Sequence, residues 1–183
     1  MPDVDLKLLG GAPALDFVNT IDPRFGPDAF DRLDSPAAVA EWARLAGLPR
    51  GRVGDFDHAL TLRDALDRIF RAVARGKRPP GRALGALREE YVAAISTGRL
   101  VRANGGYRWR VDSILWPVLE SAIELLDSPA LARVKECPAD DCGWLFLDGS
   151  RNATRRWCSM DGCGAKAKMR RYRRRMRGAT VSR

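Results

Sequence analysis

Four cysteines near the C-terminal end constrain this chain more than any other feature of its sequence. Cys137, Cys142, Cys158 and Cys163 are its only cysteines, and they form two C-x4-C pairs separated by fifteen residues. Two close pairs on a short stretch of chain have the ligand spacing of a structural Zn²⁺ site, in which four thiolates form a tetrahedron. The spacing therefore predicts that the four cysteines bind one zinc ion.

A pair of disulfides is the alternative explanation of these cysteines. We favour zinc because no apolar leader begins the sequence and a chain of 183 residues can bury a core without cross-links. The expected location is a reducing cytoplasm, in association with the nucleoid. Four thiolates leave no open coordination position, so the ion is expected to be structural and not catalytic.

Positive charge is concentrated in the same C-terminal part of the chain. Residues 151–183 carry a net charge of +11, whereas residues 1–150 carry −2, which together make the +9 of the whole chain. Such asymmetry favours a nearly neutral body joined to a module that binds a polyanion. A solvated basic tail with no specific partner is the simpler alternative.

Apolar residues at helical spacing predict a mostly helical body. Helix starts are indicated at Pro13, at Ser35-Pro36 (a serine cap followed by proline), at Asp55, at Pro79-Pro80 and at Asp112 or Ser113. Between the last two, Asn104-Gly105 predicts a β-hairpin, because a type I′ turn needs positive φ at both central residues. Alternation over residues 4–9 predicts one more short strand.

The C-terminal module is predicted to have a treble-clef-like order. A zinc knuckle at residues 137–143 precedes a hairpin, in which a strand at 144–148 and a turn at 149–152 lead to a returning strand at 154–157, and a helix begins at Gly164. Eight of the twelve residues 166–177 are Lys or Arg, so this helix lacks an apolar face large enough for a core. We expect it to bind nucleic acid, with duplex DNA favoured because an α-helix fits the major groove. The expected phosphate contacts are Arg151, Arg155, Arg156, Lys166, Lys168, Arg170, Arg171, Arg173 and Arg174.

The motifs resemble a known pair of domains. The residues that carry the resemblance in the module are Cys137-Pro138, Cys142-Gly143-Trp144, Ser150-Arg151-Asn152, Arg155-Arg156-Trp157-Cys158 and Cys163-Gly164. This stretch resembles the CGNR zinc finger, and Ala14-Leu15-Asp16-Phe17-Val18-Asn19-Thr20, with Arg24 and Trp42, resembles the ABATE domain that precedes it in bacterial proteins. The resemblance implies a stress-induced transcriptional regulator whose finger binds DNA and whose N-terminal domain senses a ligand.

One position departs from the motif that names the finger. Where the family has Cys-Gly-Asn-Arg, this chain has Cys163-Gly164-Ala165-Lys166. Zinc ligation is unaffected because both changed residues follow the last cysteine. A lysine lacks the planar fork with which arginine binds two acceptors, so base recognition there is expected to be weaker.

The body contains few residues that suggest chemistry. His58 is the single histidine and is expected to be a packing or capping residue, and no nucleophile elbow or phosphate loop is present. We therefore do not expect an enzyme. Asp16, Asn19, Thr20 and Arg24 are the candidates for a ligand pocket, although we favour the alternative in which Asp16 and Asn19 cap and tie down the local backbone.

The sequence thus predicts an α+β protein with a predominantly helical body and a small β-hairpin at residues 1–132. A treble-clef-like zinc module follows at 133–183. The expected function is that of a zinc-dependent regulator that binds duplex DNA, with a small-molecule effector and a homodimer as further possibilities. The alternatives are an RNA-binding or ribosome-associated zinc protein without sequence specificity, and a zinc-stapled protein-interaction module.

Overall fold

A computed structural model describes residues 7–25, 27 and 29–180 of the chain. Within these residues the α-helices are α1 (Pro13–Val18), α2 (Pro36–Leu45), α3 (Phe56–Ala74), α4 (Gly81–Ser96), α5 (Trp116–Leu126) and α6 (Ala165–Thr180). The strands are β1 (Arg99–Ala103), β2 (Gly106–Arg110), β3 (Val134–Glu136) and β4 (Leu145–Leu147). The predicted class, a helical body with small antiparallel sheets and a cysteine-rich C-terminal module, is confirmed.

The helix starts predicted at Ser35 and Asp55 are present, whereas α5 begins at Trp116, and neither Asp112 nor Ser113 caps it as predicted. The Ser35 hydroxyl accepts a hydrogen bond from the Ala38 amide at 3.2 Å, and Pro36 occupies the first turn of α2. The Asp55 carboxylate accepts from the amides of Asp57 and His58 at the start of α3. Each cap satisfies amide groups that the first turn of a helix leaves without a partner, so these boundaries follow from local sequence.

The short helix α1 lies at the centre of the body. It packs against α3 and α5, and its residues Ala14, Leu15, Phe17 and Val18 are fully buried. Phe17 contacts Trp42 of α2 with 5.0 Å between ring centroids. The helices α3 and α4 pack along each other, and the His58–Glu90 ion pair places the start of α3 beside the later part of α4. The two helices are therefore antiparallel, and the end of α4 lies near the start of α3.

The hairpin predicted around Asn104-Gly105 is present. Both residues have positive φ, 49° and 81°, and β1 pairs with β2 in a register that sets Arg99 opposite Arg110. Every residue of β2 is exposed, so this hairpin projects from the body.

The strand pairing in the C-terminal module differs from the prediction. β4 pairs with β3, which precedes the first cysteine pair, so the hairpin encloses the knuckle. Residues 154–157, predicted to return as a strand, form an irregular segment. The sequence indicated β3 only weakly, because a strand of only three residues is too short for an alternating pattern to be recognised. Of the strand predicted at residues 4–9, residues 4–6 lie outside the described residues, and residues 7–9 are not in a strand.

The hairpin β3–β4 is packed into the body. Val134 and Leu145 are buried in the same apolar cluster as Phe17 and Phe70. The outer edge of β4 is covered by the body, because the Leu147 amide donates to the Gly10 carbonyl at 2.7 Å. The Asn19 side chain completes this edge, donating to the Leu145 carbonyl at 2.8 Å and accepting from the Leu145 amide at 2.9 Å. Among the helices of the described part of the chain, none has the length and apolar character needed to cross a membrane.

Candidate functional site

The four cysteine side chains converge on one point. Their sulfur atoms all lie within 4.8 Å of one another, and the Cys142–Cys158 and Cys158–Cys163 sulfur distances are both 3.6 Å. Four sulfurs about 2.3 Å from a tetrahedral zinc ion would be roughly 3.8 Å apart, whereas a disulfide requires about 2.05 Å. The donor set therefore fits zinc, and the four thiols are free.

Each cysteine pair is held by a tight local turn. In the first pair the Cys137 amide donates to the Trp144 carbonyl at 2.8 Å, and Gly143 turns the chain with φ of 62°. In the second pair the Ser159 hydroxyl accepts from the Gly162 amide at 3.1 Å and begins a π-helical turn, Met160–Gly164. The helix α6 follows directly, so the last cysteine lies at the start of the basic helix.

The thiols strongly perturb one another's pKa values. Hydrogen bonding from Cys142 and Cys158 lowers the pKa of Cys137, whereas hydrogen bonding with Cys137 raises the pKa of Cys142 and of Cys158. Burial, followed by the charge of Cys137, raises the pKa of Cys163. Four thiols at this spacing cannot all be ionised unless a cation neutralises their charge. A zinc ion bound to the four sulfurs would supply that positive charge.

Two basic residues, Lys135 and Arg155, hold the segment after β4 in place through internal hydrogen bonds. Arg155 lies over the Phe146 ring, 4.5 Å from its centroid, and its guanidinium donates to the carbonyls of Leu9, Leu147, Trp157 and Cys158. The Lys135 ammonium donates to the carbonyls of Ala153 and Arg155 and to the buried Asp148 carboxylate. Burial alone would raise the pKa of Asp148, but the hydrogen bonds from Lys135 and Ser150 lower it. These contacts replace the strand pairing that was predicted here.

The body also contacts the knuckle directly. Arg71 of α3 donates to the Gly143 carbonyl at 3.1 Å and pairs with Glu136 of β3, which also pairs with Arg75. The Phe25 ring covers Gly143 so closely that a Cβ atom there would overlap it. Gly143 is thus required both for its positive φ and for this approach.

The helix α6 carries the predicted positive charge on its surface. Its eight Lys and Arg residues between 166 and 177 are all exposed. Two of them lie near carboxylates of the knuckle, Lys166 at 3.6 Å from Asp141 and Arg170 at 3.8 Å from Asp140. Among the residues that the structure describes, the other six have no ion-pair partner.

A groove of about 900 Å³ runs between α6 and the second cysteine pair. One wall is formed by Arg156, Trp157 and Met160, and the other by the side of α6 that bears Lys168, Arg171 and Arg175. The Arg156 guanidinium lies over the Trp157 ring at 5.3 Å. The groove thus combines an aromatic ring with a row of cations, and the carboxylates of Asp140 and Asp161 also line it.

The residues predicted to contact phosphates are therefore in three settings. Arg156, Lys168, Arg170, Arg171 and Arg174 line the groove. Arg151, Lys166 and Arg173 are exposed but do not line it, and Arg155 is used in internal hydrogen bonds. Arg175 lines the groove and was not among the predicted contacts, although it belongs to the same basic run.

The candidate pocket residues of the body all make internal contacts. Asn19 binds β4, the Thr20 hydroxyl donates to the Phe17 carbonyl, and Arg24 donates to the Val18 carbonyl and pairs with Asp67. Asp16 accepts from the Gly10 amide at 2.7 Å, and burial raises the pKa of its carboxyl to about 6. These contacts support the alternative in which the residues tie down the backbone. His58 is exposed and pairs with Glu90 at 3.4 Å.

A helical body joined to a four-cysteine zinc site defines a zinc-finger protein with an N-terminal helical domain. Residues 11–129 match the ABATE family, described as "Putative stress-induced transcription regulator", and residues 133–176 match the CGNR zinc finger. The chain belongs to the ABATE family and carries the CGNR zinc finger, which confirms both resemblances. These descriptions are of regulators and zinc fingers and not of enzymes. No curated protein matches the chain.

The sequence did not reveal the contacts between the two parts. Asn19, Arg71 and Glu136 connect the body to the module, and Lys135 and Asp148 hold the segment between the cysteine pairs. The one available signal was Asn19, which belongs to the ABATE motif and was considered for a pocket. Its partner lies 126 residues away, so no local pattern could identify it.

Proposed function

We propose that this protein is a zinc-dependent regulator that binds duplex DNA through α6 and the groove beside it. The observation that carries the proposal is the row of exposed cations on α6 that have no carboxylate partner within the described residues. Like charges three and four residues apart destabilise a helix. Phosphates would remove this repulsion, and each phosphate neutralised would release condensed counterions.

The dimensions of α6 suit the major groove of DNA. An α-helix with its side chains is about 10–12 Å across, which matches the width of the major groove, about 12 Å. The sixteen residues of α6 make it about 24 Å long. The zinc site anchors the start of this helix, since Cys163 lies two residues before Ala165, the first residue of α6. A helix fixed at one end by metal and free along its length can enter the groove without unfolding the rest of the module.

The two sides of α6 should contribute unequally. Arg171 and Arg175 face the groove that contains Trp157, whereas Arg173 and Arg177 do not line it. Cations on both walls of a concave surface act on the same phosphates, so the groove side should supply more contacts. Lys166, which replaces the arginine of the family motif, lies near Asp141 and is expected to contribute little.

Two matched double variants test this assignment. R171Q/R175Q and R173Q/R177Q each remove two arginines spaced four apart on the same exposed helix, so both should keep the fold. We expect R171Q/R175Q to weaken duplex binding at least tenfold and to reduce the slope of log K against log salt by about 2. R173Q/R177Q should lose less than half as much in the logarithm of affinity. Binding is measured by fluorescence anisotropy of zinc-loaded protein across salt concentrations.

A second experiment separates DNA from RNA. A selection from randomised duplex DNA and an RNA pool, run in parallel near physiological salt, should enrich a reproducible duplex motif. Equal affinity for both pools without enrichment would overturn the proposed duplex specificity and favour a phosphate-binding RNA protein. Unchanged affinity in both double variants would show that α6 does not carry the binding.

A further inference from the structure

We infer that the base of the hairpin β1–β2 is a binding site for a small phosphate-bearing ligand. A cleft of about 360 Å³ lies there, lined by Arg50, Thr97, Arg99, Arg110, Val111 and Asp112. Three arginines and one aspartate give it a net charge of +2. This site is separate from the zinc module and does not depend on the proposed DNA binding.

The fold brings the three arginines together from distant parts of the sequence. Arg99 begins β1 and Arg110 ends β2, while Arg50 follows α2. The loop after Arg50 is fixed against the start of the α5 region, because the Ile114 amide donates to the Arg52 carbonyl at 3.0 Å. Gly51 approaches the same backbone so closely that a Cβ atom would lie 3.0 Å from the Ile114 nitrogen. The position of Arg50 is therefore determined by main-chain contacts.

The register of the hairpin sets two like charges against each other. Arg99 is directly opposite Arg110, and like-charged residues in this relation destabilise a pair of strands. An isolated two-stranded hairpin is at best marginally stable, so this repulsion falls on an element with little stability to spare. An anion between the two guanidinium groups would convert the repulsion into two favourable contacts.

Other carboxylates do not compensate these arginines. Within residues 7–25, 27 and 29–180, Arg50, Arg99 and Arg110 have no ion-pair partner. Asp112 lines the same cleft without pairing with any of them. Arg108, on the same hairpin face, differs because its charge acts on Glu120 of α5. The three arginines of the cleft are thus left for an external anion.

Phosphate is the anion that this arrangement favours. A guanidinium group presents its N–H donors in a planar fork that binds two phosphate oxygens at once, and three such forks can surround one tetrahedral group. The cleft has about twelve times the volume that one water molecule occupies in the liquid, about 30 Å³. It therefore has room for an organic group beyond the phosphate, as in a phosphomonoester.

The test uses the zinc-loaded full chain with inorganic phosphate and a simple alkyl phosphate as probes. Because α6 will also attract phosphate, binding is localised by the hydrogen exchange of amides in residues 99–110. We expect either probe to slow this exchange and to raise the melting temperature by about 3–6 °C at ten times its dissociation constant. Tighter binding of the alkyl phosphate would identify a phosphomonoester as the ligand class, and equal binding would identify phosphate itself.

The matched control lies on the opposite face of the same hairpin. R50Q/R110Q should weaken the affinity for phosphate, measured by protection of the hairpin amides, at least tenfold. R102Q, which removes an exposed arginine on the other face of β1, should leave that affinity unchanged. Equal phosphate affinity in R50Q/R110Q and R102Q would overturn the inference. Protection of residues 99–110 by duplex DNA and not by either probe would also overturn it, by making the hairpin a nucleic-acid contact. Retention of DNA affinity in R50Q/R110Q would show that failure here leaves the α6 proposal intact.

Discussion

Replacing Asn19 with alanine should destabilise the zinc module and the helical body together. Asn19 is only 4% exposed, and its amide makes both hydrogen bonds that the outer edge of β4 offers at Leu145. In effect this one side chain acts as a third strand beside β3 and β4. Its removal leaves the buried main-chain N–H and C=O groups of Leu145 without partners.

The expected magnitude follows from these two groups. An unsatisfied buried donor or acceptor costs about 1–3 kcal/mol, so the loss of both partners in Asn19→Ala should lower the free energy of unfolding by about 2–6 kcal/mol. That is a large share of the 5–15 kcal/mol that a typical domain has. Because Leu145 is buried in the same cluster as Phe17 and Phe70, the loss should reach both parts of the chain.

The assay combines urea unfolding of the zinc-loaded chain with hydrogen exchange and the rate of zinc transfer to a chelator. Exchange should accelerate in peptides from both α3 and β4, and zinc transfer should be faster. Asn152→Ala, at an exposed turn of the module, is the matched control and should change stability by less than about 0.5 kcal/mol. Destabilisation of α3 with unchanged exchange in β4 and unchanged zinc transfer would refute the reasoning, as would a loss no larger than that of the control.

Two further perturbations test the zinc site and the buried carboxyl. Removing zinc with a chelator should unfold the segment that contains the cysteine pairs and also lower the melting temperature of the body, because Val134 and Leu145 belong to its core. Calorimetry with and without chelator checks this expectation. An unchanged melting transition of the body would contradict it. Asp16→Asn should stabilise the protein at pH 7.5 by up to about 3 kcal/mol, since burial raises the pKa of Asp16 to about 6 and the protonated form is favoured in the folded state. The difference in unfolding free energy between the two proteins should vanish as the pH falls through 6 towards 4, where Asp16 of the folded protein is protonated. Denaturant unfolding of both proteins at several pH values measures this difference, and a difference that stays constant with pH would contradict the argument.

Features encoded within short stretches of sequence were predictable. The spacing of the cysteines indicated the four members of the cluster, because two C-x4-C turns can each present two sulfurs to one ion. Ser35 and Asp55 indicated the starts of α2 and α3, and Asn104-Gly105 indicated the hairpin turn. In each case the chemistry is local: a side chain satisfies a nearby amide, or a backbone adopts a φ that few residues allow.

Features that depend on residues far apart in the chain were not predictable. The partner of β4 was expected to follow it but precedes the knuckle, since three-residue strands carry almost no periodic signal and their pairing is decided by the core they complete. Asn19 was considered for a ligand pocket, whereas its hydrogen bonds reach β4. Arg155 was expected to contact phosphate, but it lies over the Phe146 ring and donates hydrogen bonds to four carbonyls.

What the sequence by itself determined, then, is the four-cysteine cluster, the starts of α2 and α3 and the separation of charge between the two parts of the chain. These depend on residue type and spacing, which survive without any tertiary contact. Only the tertiary structure decided that β3–β4 is part of the body's core, that Arg171 and Arg175 face a groove, and that Arg50 joins Arg99 and Arg110. Those relations arise when the chain buries its apolar surface, and burial selects among pairings that the local sequence leaves equally open.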